Sequence, residues 1–256
     1  MVQREANGIA YVTSDWPLDG DKPTLFFIHG AGGSHVLWRG QVEGLGGRVN
    51  AVAIDLPGHG ASRGDGMDSI EAYARAVAEF TRALDAPKPI PCGLSMGGAI
   101  TQQLLLDHAD AFCAGILIGT GARLRVMPII LKTIEENFGA YIESFIAFAA
   151  SEKTDPERLR PIEEATAKGS PQVALGDFKA CDVFDVMERL PSIQVPVLVI
   201  TSEDDRLTPP KYGIFIEENI PTASRVHIQD AGHLSPAEKP EQVNQAILDF
   251  LTREGL

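Results

Sequence analysis

Disulfide chemistry has little to work with in this chain. Three cysteines, Cys92, Cys113 and Cys181, are scattered through 256 residues. They are odd in number and widely spaced, so neither a disulfide framework nor a zinc knuckle is expected. Cations are scarce as well. Lys and Arg number 22 against 35 Asp and Glu, a formal net charge of -13. Such a surface repels phosphate backbones and anionic headgroups, which argues against nucleic-acid and membrane partners. No apolar run reaches the roughly 18 residues of a membrane span. The opening MVQREANGIAYV lacks the basic-then-apolar order of a secretory leader. Repeats, low-complexity tracts, HExxH, paired CxxC and P-loop motifs are missing, and Gly30-Ala31-Gly32 lacks the third glycine of a dinucleotide loop. No metal or nucleotide cofactor is implied. The expectation is a cytoplasmic protein that acts on a small molecule.

Apolar residues are plentiful at 44%, with 22% charged, so a sizeable core is expected. Six short runs read as strands: Thr24–His29, Val49–Asp55, Pro89–Gly93, Cys113–Ile118, Val195–Ser202 and Ser224–Gln229. Most are apolar throughout rather than alternating, the pattern of strands covered on both faces in a parallel sheet. Helical periodicity occupies Ile70–Leu84, Met96–Leu106 and Glu241–Leu251. The alternation predicts an α/β doubly wound, mostly parallel sheet, with Gly8–Thr13 as an antiparallel edge strand. Residues 122–190 break the rhythm. Ile134, Phe138, Tyr141, Phe145 and Phe148 recur at helical spacing, and prolines punctuate the stretch. This reads as a helical insertion between core segments 1–121 and 191–256. Because it leaves a carboxyl end of the sheet, where ligands of such folds bind, it is expected to roof a pocket, with Phe138, Tyr141 and Phe145 facing the ligand.

Gly93-Leu94-Ser95-Met96-Gly97 follows a strand and opens a helix. Small residues at 93 and 97 permit a sharp bend that exposes the Ser95 hydroxyl, as in a nucleophile elbow. A serine hydroxyl needs a base and an orienting acid, and in this elbow type the chain order is serine, acid, histidine. Glu203-Asp204-Asp205 follows one later strand, and Asp230-Ala231-Gly232-His233 follows the next. Two amides are candidates for an oxyanion hole: Met96, next after the serine, and Ala31, in the glycine-rich loop His29–Gly33. His29 is expected to brace that loop, Asp55 and His59 to organise a turn, and Trp38 to pack beneath the loop. Arg123 and Arg125 are expected to pair with surface acids, with a substrate carboxylate as the other reading.

His29-Gly-Ala-Gly, Asp55-Leu-Pro-Gly-His-Gly-Ala-Ser62, Gly93-Leu-Ser-Met-Gly-Gly98, Asp205-Arg-Leu-Thr-Pro209 and Ala231-Gly-His233 together resemble the α/β-hydrolase fold family. The resemblance implies that fold with a helical cap, and a Ser95–His233–acid triad. The family's spacing from Ser202 to Pro209 selects Asp205 as the acid and leaves Asp204 as a surface neighbour. Serine at position 95 differs from the aspartate of dehalogenase and epoxide-hydrolase relatives. The segments Cys92–Gly98 and Gly119–Ala122 are most similar to small-molecule esterases and 3-oxoadipate enol-lactonases. Carbon–carbon bond hydrolases usually carry Asn where Leu94 stands. The implied function is hydrolysis of carboxylic esters of small, largely apolar substrates, with chain length limited by the cap. An enol-lactonase or carbon–carbon hydrolase, and a ligand receptor without turnover, are the alternatives. Oligomeric state is left open.

Overall fold

A computed structural model describes residues 1–256. The chain opens with β1 (Val2–Ala6) and β2 (Ile9–Thr13), joined through Asn7-Gly8 with φ of 49° and 77°. An Asn-Gly pair at positive φ matches the twist of a tight hairpin. Then follow β3 (Thr24–Ile28), α1 (Arg39–Leu45), β4 (Asn50–Ile54), α2 (Ile70–Leu84), β5 (Pro89–Leu94), α3 (Met96–Asp107) and β6 (Gly115–Ile118). Four helices come next: α4 (Pro128–Glu136), α5 (Phe138–Ala149), α6 (Pro156–Ala167) and α7 (Pro171–Val183). The chain closes with β7 (Val197–Ser202), α8 (Pro210–Asn219), β8 (Ala223–Ile228), α9 (Ser235–Glu238) and α10 (Pro240–Glu254).

The eight strands form one sheet in the order β1-β2-β4-β3-β5-β6-β7-β8. The β1/β2 and β2/β4 pairs are antiparallel and the others parallel. Successive residues of β3 divide between the faces: Phe26 and Ile28 join one buried cluster, Leu25 and Phe27 the other. Both faces are covered, which is why the strand sequences do not alternate. Trp38 is fully buried on the second face, its ring 5.1 Å from that of Phe27.

Two expectations are corrected. The strand at 9–13 is not the edge, because β1 pairs outside it. β1 is mostly exposed and carries Arg4 and Glu5, so no apolar run betrays it, and its charges suit an edge strand. The periodic stripe of the insertion is split: Ile134 lies on α4, and the aromatics Phe138, Tyr141, Phe145 and Phe148 share α5. Asn137 marks the break, with φ of -157°, and its side chain caps α5 by accepting from the Ala140 N–H at 3.0 Å. Ile134, Tyr141, Ile142 and Phe178 then form a small core of their own between α4, α5 and α7. No helix is long and apolar enough to cross a membrane.

Candidate active site

Ser95 sits between β5 and α3 with φ of 56° and ψ of -115°, a conformation few non-glycine residues adopt. The neighbourhood over-determines it. The Ser95 N–H donates to the Ile118 carbonyl at 3.0 Å, and the Thr120 hydroxyl donates to the Ser95 carbonyl at 2.8 Å. A Cβ on Gly97 would lie 2.1 Å from the Ile28 carbonyl oxygen, so the bend and its close approach to β3 require glycine there.

The loop after β3 crosses directly over this serine. A Cβ on Gly30 would meet the Ser95 Cβ at 3.3 Å. The Ala31 N–H makes no hydrogen bond within the protein. Met96 opens α3, where the first N–H groups have no partner inside the helix. Two candidate oxyanion donors therefore flank the serine. His29 is fully buried beneath the loop. Its Nδ1 is 2.8 Å from the Gly30 carbonyl oxygen, and its Nε2 lies 3.1 Å from the Leu56 N–H that donates to it. That arrangement admits only the neutral ring with the proton on Nδ1. Burial, with the neighbouring His59 charge, pushes the imidazole down to about 4.

Asp205 and His233 lie at the ends of β7 and β8 and are both buried. The His233 Nδ1 is 3.0 and 3.2 Å from the two Asp205 carboxylate oxygens. The Leu207 and Thr208 N–H groups donate to Oδ1 at 2.9 and 2.8 Å, and the Thr208 hydroxyl donates to Oδ2 at 2.8 Å. Burial raises the Asp205 carboxyl, but the His233 charge and these hydrogen bonds outweigh it, leaving the pKa below the usual value. Asp204 points elsewhere: its carboxylate accepts from the Ser151 hydroxyl at 2.5 Å, joining the insertion to the core. It is half-buried rather than a free surface residue. Ser95 and His233 line one cleft, with no hydrogen bond between the hydroxyl and the ring. Such contacts commonly tighten only once substrate is bound.

Asp55 organises its turn as expected from the sequence. It accepts from the His35 and Ala61 N–H groups at 2.8 and 2.9 Å, and from the His35 ring at 2.9 Å. His59 does more than brace a turn, because its Nε2 lies 2.8 Å from the carboxylate of Asp177 in α7. That carboxylate is completely buried. It also accepts from the Tyr73 hydroxyl at 2.6 Å and the Gly32 N–H at 2.8 Å. Burial lowers the His59 pKa, but Asp177 outweighs it and the net movement is upward. Glu238 performs a similar task behind His233, accepting from the Gly232 and Ser151 N–H groups and the Thr154 hydroxyl at 3.0, 2.9 and 2.6 Å. Sequence reasoning missed both acids. A signal existed for Asp177: it falls on the buried face of α7 with Val173, Ala174, Phe178 and Cys181.

Of the 24 residues that line the cleft, 15 are hydrophobic. Tyr141 and Phe145 line it, together with Leu94, Leu207, Phe178 and Cys181. Phe138 does not. It stacks on Tyr141 with ring centroids 5.7 Å apart and packs, half-buried, against the small core of the insertion instead. Arg123 and Arg125 stand on the cleft wall. Arg123 is 3.7 Å from Asp185, and Arg125 donates to the Asp182 carbonyl.

The alpha/beta hydrolase family model matches residues 25–246. The chain belongs to the alpha/beta hydrolase family. This hydrolase is 25% identical over 251 residues to a pimeloyl-[acyl-carrier protein] methyl ester esterase of Vibrio vulnificus strain YJ016, covering 92% of this chain and 96% of that one. It is 27% identical over 241 residues to 3-oxoadipate enol-lactonase 2 of Acinetobacter baylyi, covering 91% and 90%. Among solved structures, a thermophilic esterase is 30% identical with a TM-score of 0.81, covering 98% of this chain and 97% of that one. The Burkholderia xenovorans LB400 enol-lactonase shares the fold at a TM-score of 0.87 and 23% identity, covering 98% and 100%.

Proposed function

We propose that this hydrolase cleaves carboxylic esters of small, largely apolar substrates through an acyl-enzyme on Ser95. The observation that carries the reading is the convergence on one apolar cleft of Ser95, the His233–Asp205 pair and the uncommitted Ala31 N–H. His233 takes the hydroxyl proton as Ser95 Oγ attacks the ester carbonyl. The Ala31 and Met96 amides receive the developing oxyanion. Asp205 holds the Nδ1 proton, so that Nε2 is free to act as base, and it stabilises the imidazolium. The same imidazolium protonates the departing alcohol. Water then enters, gives a proton to His233 and releases the acid, restoring Ser95.

The test is hydrolysis of p-nitrophenyl butyrate by wild type and Ser95→Ala. The variant should lose at least about 10³-fold in kcat while keeping its fold by circular dichroism. Retention of most activity in a folded variant, or no turnover of any ester by wild type, refutes the reading. The latter outcome favours a ligand receptor.

A second reading, enol-lactone hydrolysis with the same groups, is favoured by Arg123 and Arg125 on the cleft wall, since an anionic lactone needs a paired cation. An anionic enol-lactone that exceeds the best neutral ester more than about tenfold in kcat/KM, equivalent to roughly 1.4 kcal/mol, would establish it.

A further inference from the structure

The Ala31 N–H belongs to the peptide unit whose carbonyl is that of Gly30. The Gly33 N–H donates to this carbonyl oxygen at 3.1 Å, and the His29 Nδ1 lies 2.8 Å from it. In a planar trans peptide the N–H points opposite to the carbonyl, so fixing the oxygen aims the Ala31 N–H. The next unit runs from the Ala31 carbonyl to the Gly32 N–H, and a side chain of the insertion holds it: Asp177 Oδ2 accepts from the Gly32 N–H at 2.8 Å. Both peptide planes that meet at the Ala31 Cα are thereby fixed. The second would otherwise turn easily, because Gly32 has φ of 64° and no side chain to resist rotation. Asp177 is itself held in place. Its Oδ2 is also 2.8 Å from His59 Nε2, its Oδ1 accepts from the Tyr73 hydroxyl at 2.6 Å, and all three side chains are buried. Apolar side chains of similar volume often join a helix to a core at least as well as a buried charge does. They cannot hold a backbone N–H in one direction.

We propose that Asp177 is a positioning residue for the oxyanion hole: from α7, and through Gly32, it keeps the Ala31 N–H aimed at the oxygen that becomes negative in the transition state. The inference rests on the ester-hydrolase reading and adds that the insertion helps to build the reaction centre. Asp177 touches no substrate atom in this role. Its effect falls on kcat, because the tetrahedral oxyanion depends on the donor far more than the ground-state carbonyl does.

The test measures kcat and KM for p-nitrophenyl butyrate with wild type, Asp177→Ala, Asp177→Asn and Phe80→Ala, at a temperature where each is folded by circular dichroism. Phe80 is fully buried against Tyr11 and Phe26 and lines no part of the cleft, so its truncation is the control for lost stability alone. Losing an oxyanion donor costs about 10² to 10³ in kcat, so a donor left free to swing should cost about 10 to 10², with KM within about threefold of wild type. Asp177→Asn keeps an acceptor for Gly32 and should hold kcat within about threefold of wild type, as should Phe80→Ala. If Asp177→Ala does not fold, Asp177→Leu combined with Tyr73→Phe removes the phenol donor together with its acceptor and supplies the same comparison. Amide hydrogen exchange reads the loop without substrate: Gly32 should exchange at least about tenfold faster in Asp177→Ala than in Phe80→Ala. Equal Gly32 exchange in those two variants refutes the tether. Faster exchange with wild-type kcat, or a kcat loss in Asp177→Asn as large as in Asp177→Ala, refutes the positioning role. A wild type that turns over no ester refutes the hydrolase reading alone, and the exchange comparison still decides whether Asp177 holds the loop.

Discussion

Asp177 is the most consequential buried charge outside the proposed triad, and replacing it tests how the insertion holds the loop over Ser95. Its carboxylate accepts from Gly32, His59 and Tyr73 in a site closed to water. Asp177→Ala leaves those three donors without acceptors. One orphaned buried donor costs about 1 to 3 kcal/mol, but local repacking makes three less than additive. Breaking a buried ion pair from one side costs about 3 to 5 kcal/mol, and that is the expected loss. At roughly 2 to 4 °C per kcal/mol for a protein near this size, Tm should fall by roughly 6 to 20 °C. Asp177→Asn keeps one acceptor for Gly32 and the volume, and should cost about 1 to 2 kcal/mol. The His59 pKa is raised in the fold, so the stability it contributes is complete below the ordinary value of 6.5 and is lost as pH rises through the folded value. The wild-type advantage over Asp177→Asn should therefore be largest in mild acid and shrink at alkaline pH. Urea unfolding across pH, with activity assayed well below each Tm, measures both effects. An Asp177→Ala protein within about 1 kcal/mol of wild type refutes the network as a stabilising clamp.

The two adjacent aspartates should separate cleanly. Asp205→Asn is expected to lower kcat by about 10³ to 10⁴ because it favours the wrong His233 tautomer. Asp204→Asn, which only loosens the Ser151 contact, should leave kcat nearly unchanged, and the reverse ranking would transfer the acid role to Asp204. His29 makes stability sensitive to acid. Its folded pKa is about 4 against 6.5 unperturbed, so the unfolded chain binds the proton first and stability falls as pH drops between those values. A gap of that size amounts to roughly 3 kcal/mol, readable as a shallower acid slope in His29→Gln than in wild type. Equal slopes would show that the ring is not held neutral.

The order of chemical groups along the chain was legible because each is announced by local structure. The elbow around Ser95 needs small residues within two positions, and most of the strands are apolar runs of four to six residues. The turns carrying Asp205 and His233 follow those strands directly. Backbone demands of that kind are written in neighbouring residues, so the α/β alternation and the serine–acid–histidine order could be read without coordinates. Other features depend on partners far away in sequence. Asp177 meets Gly32, His59 and Tyr73 across separations of 145, 118 and 104 residues. Before the helices pack, it is one more acid in a chain of -13. Phe138 and Tyr141 carry the same periodic signal on one helix, yet the packing of α5 with α4 and α7 leaves only Tyr141 lining the cleft. Strand β1 is polar because an exposed edge needs no apolar face, and so it left no hydrophobic trace. Local sequence thus determined which groups follow which strand. Long-range packing decided which acids are buried and which aromatics of the insertion line the cleft.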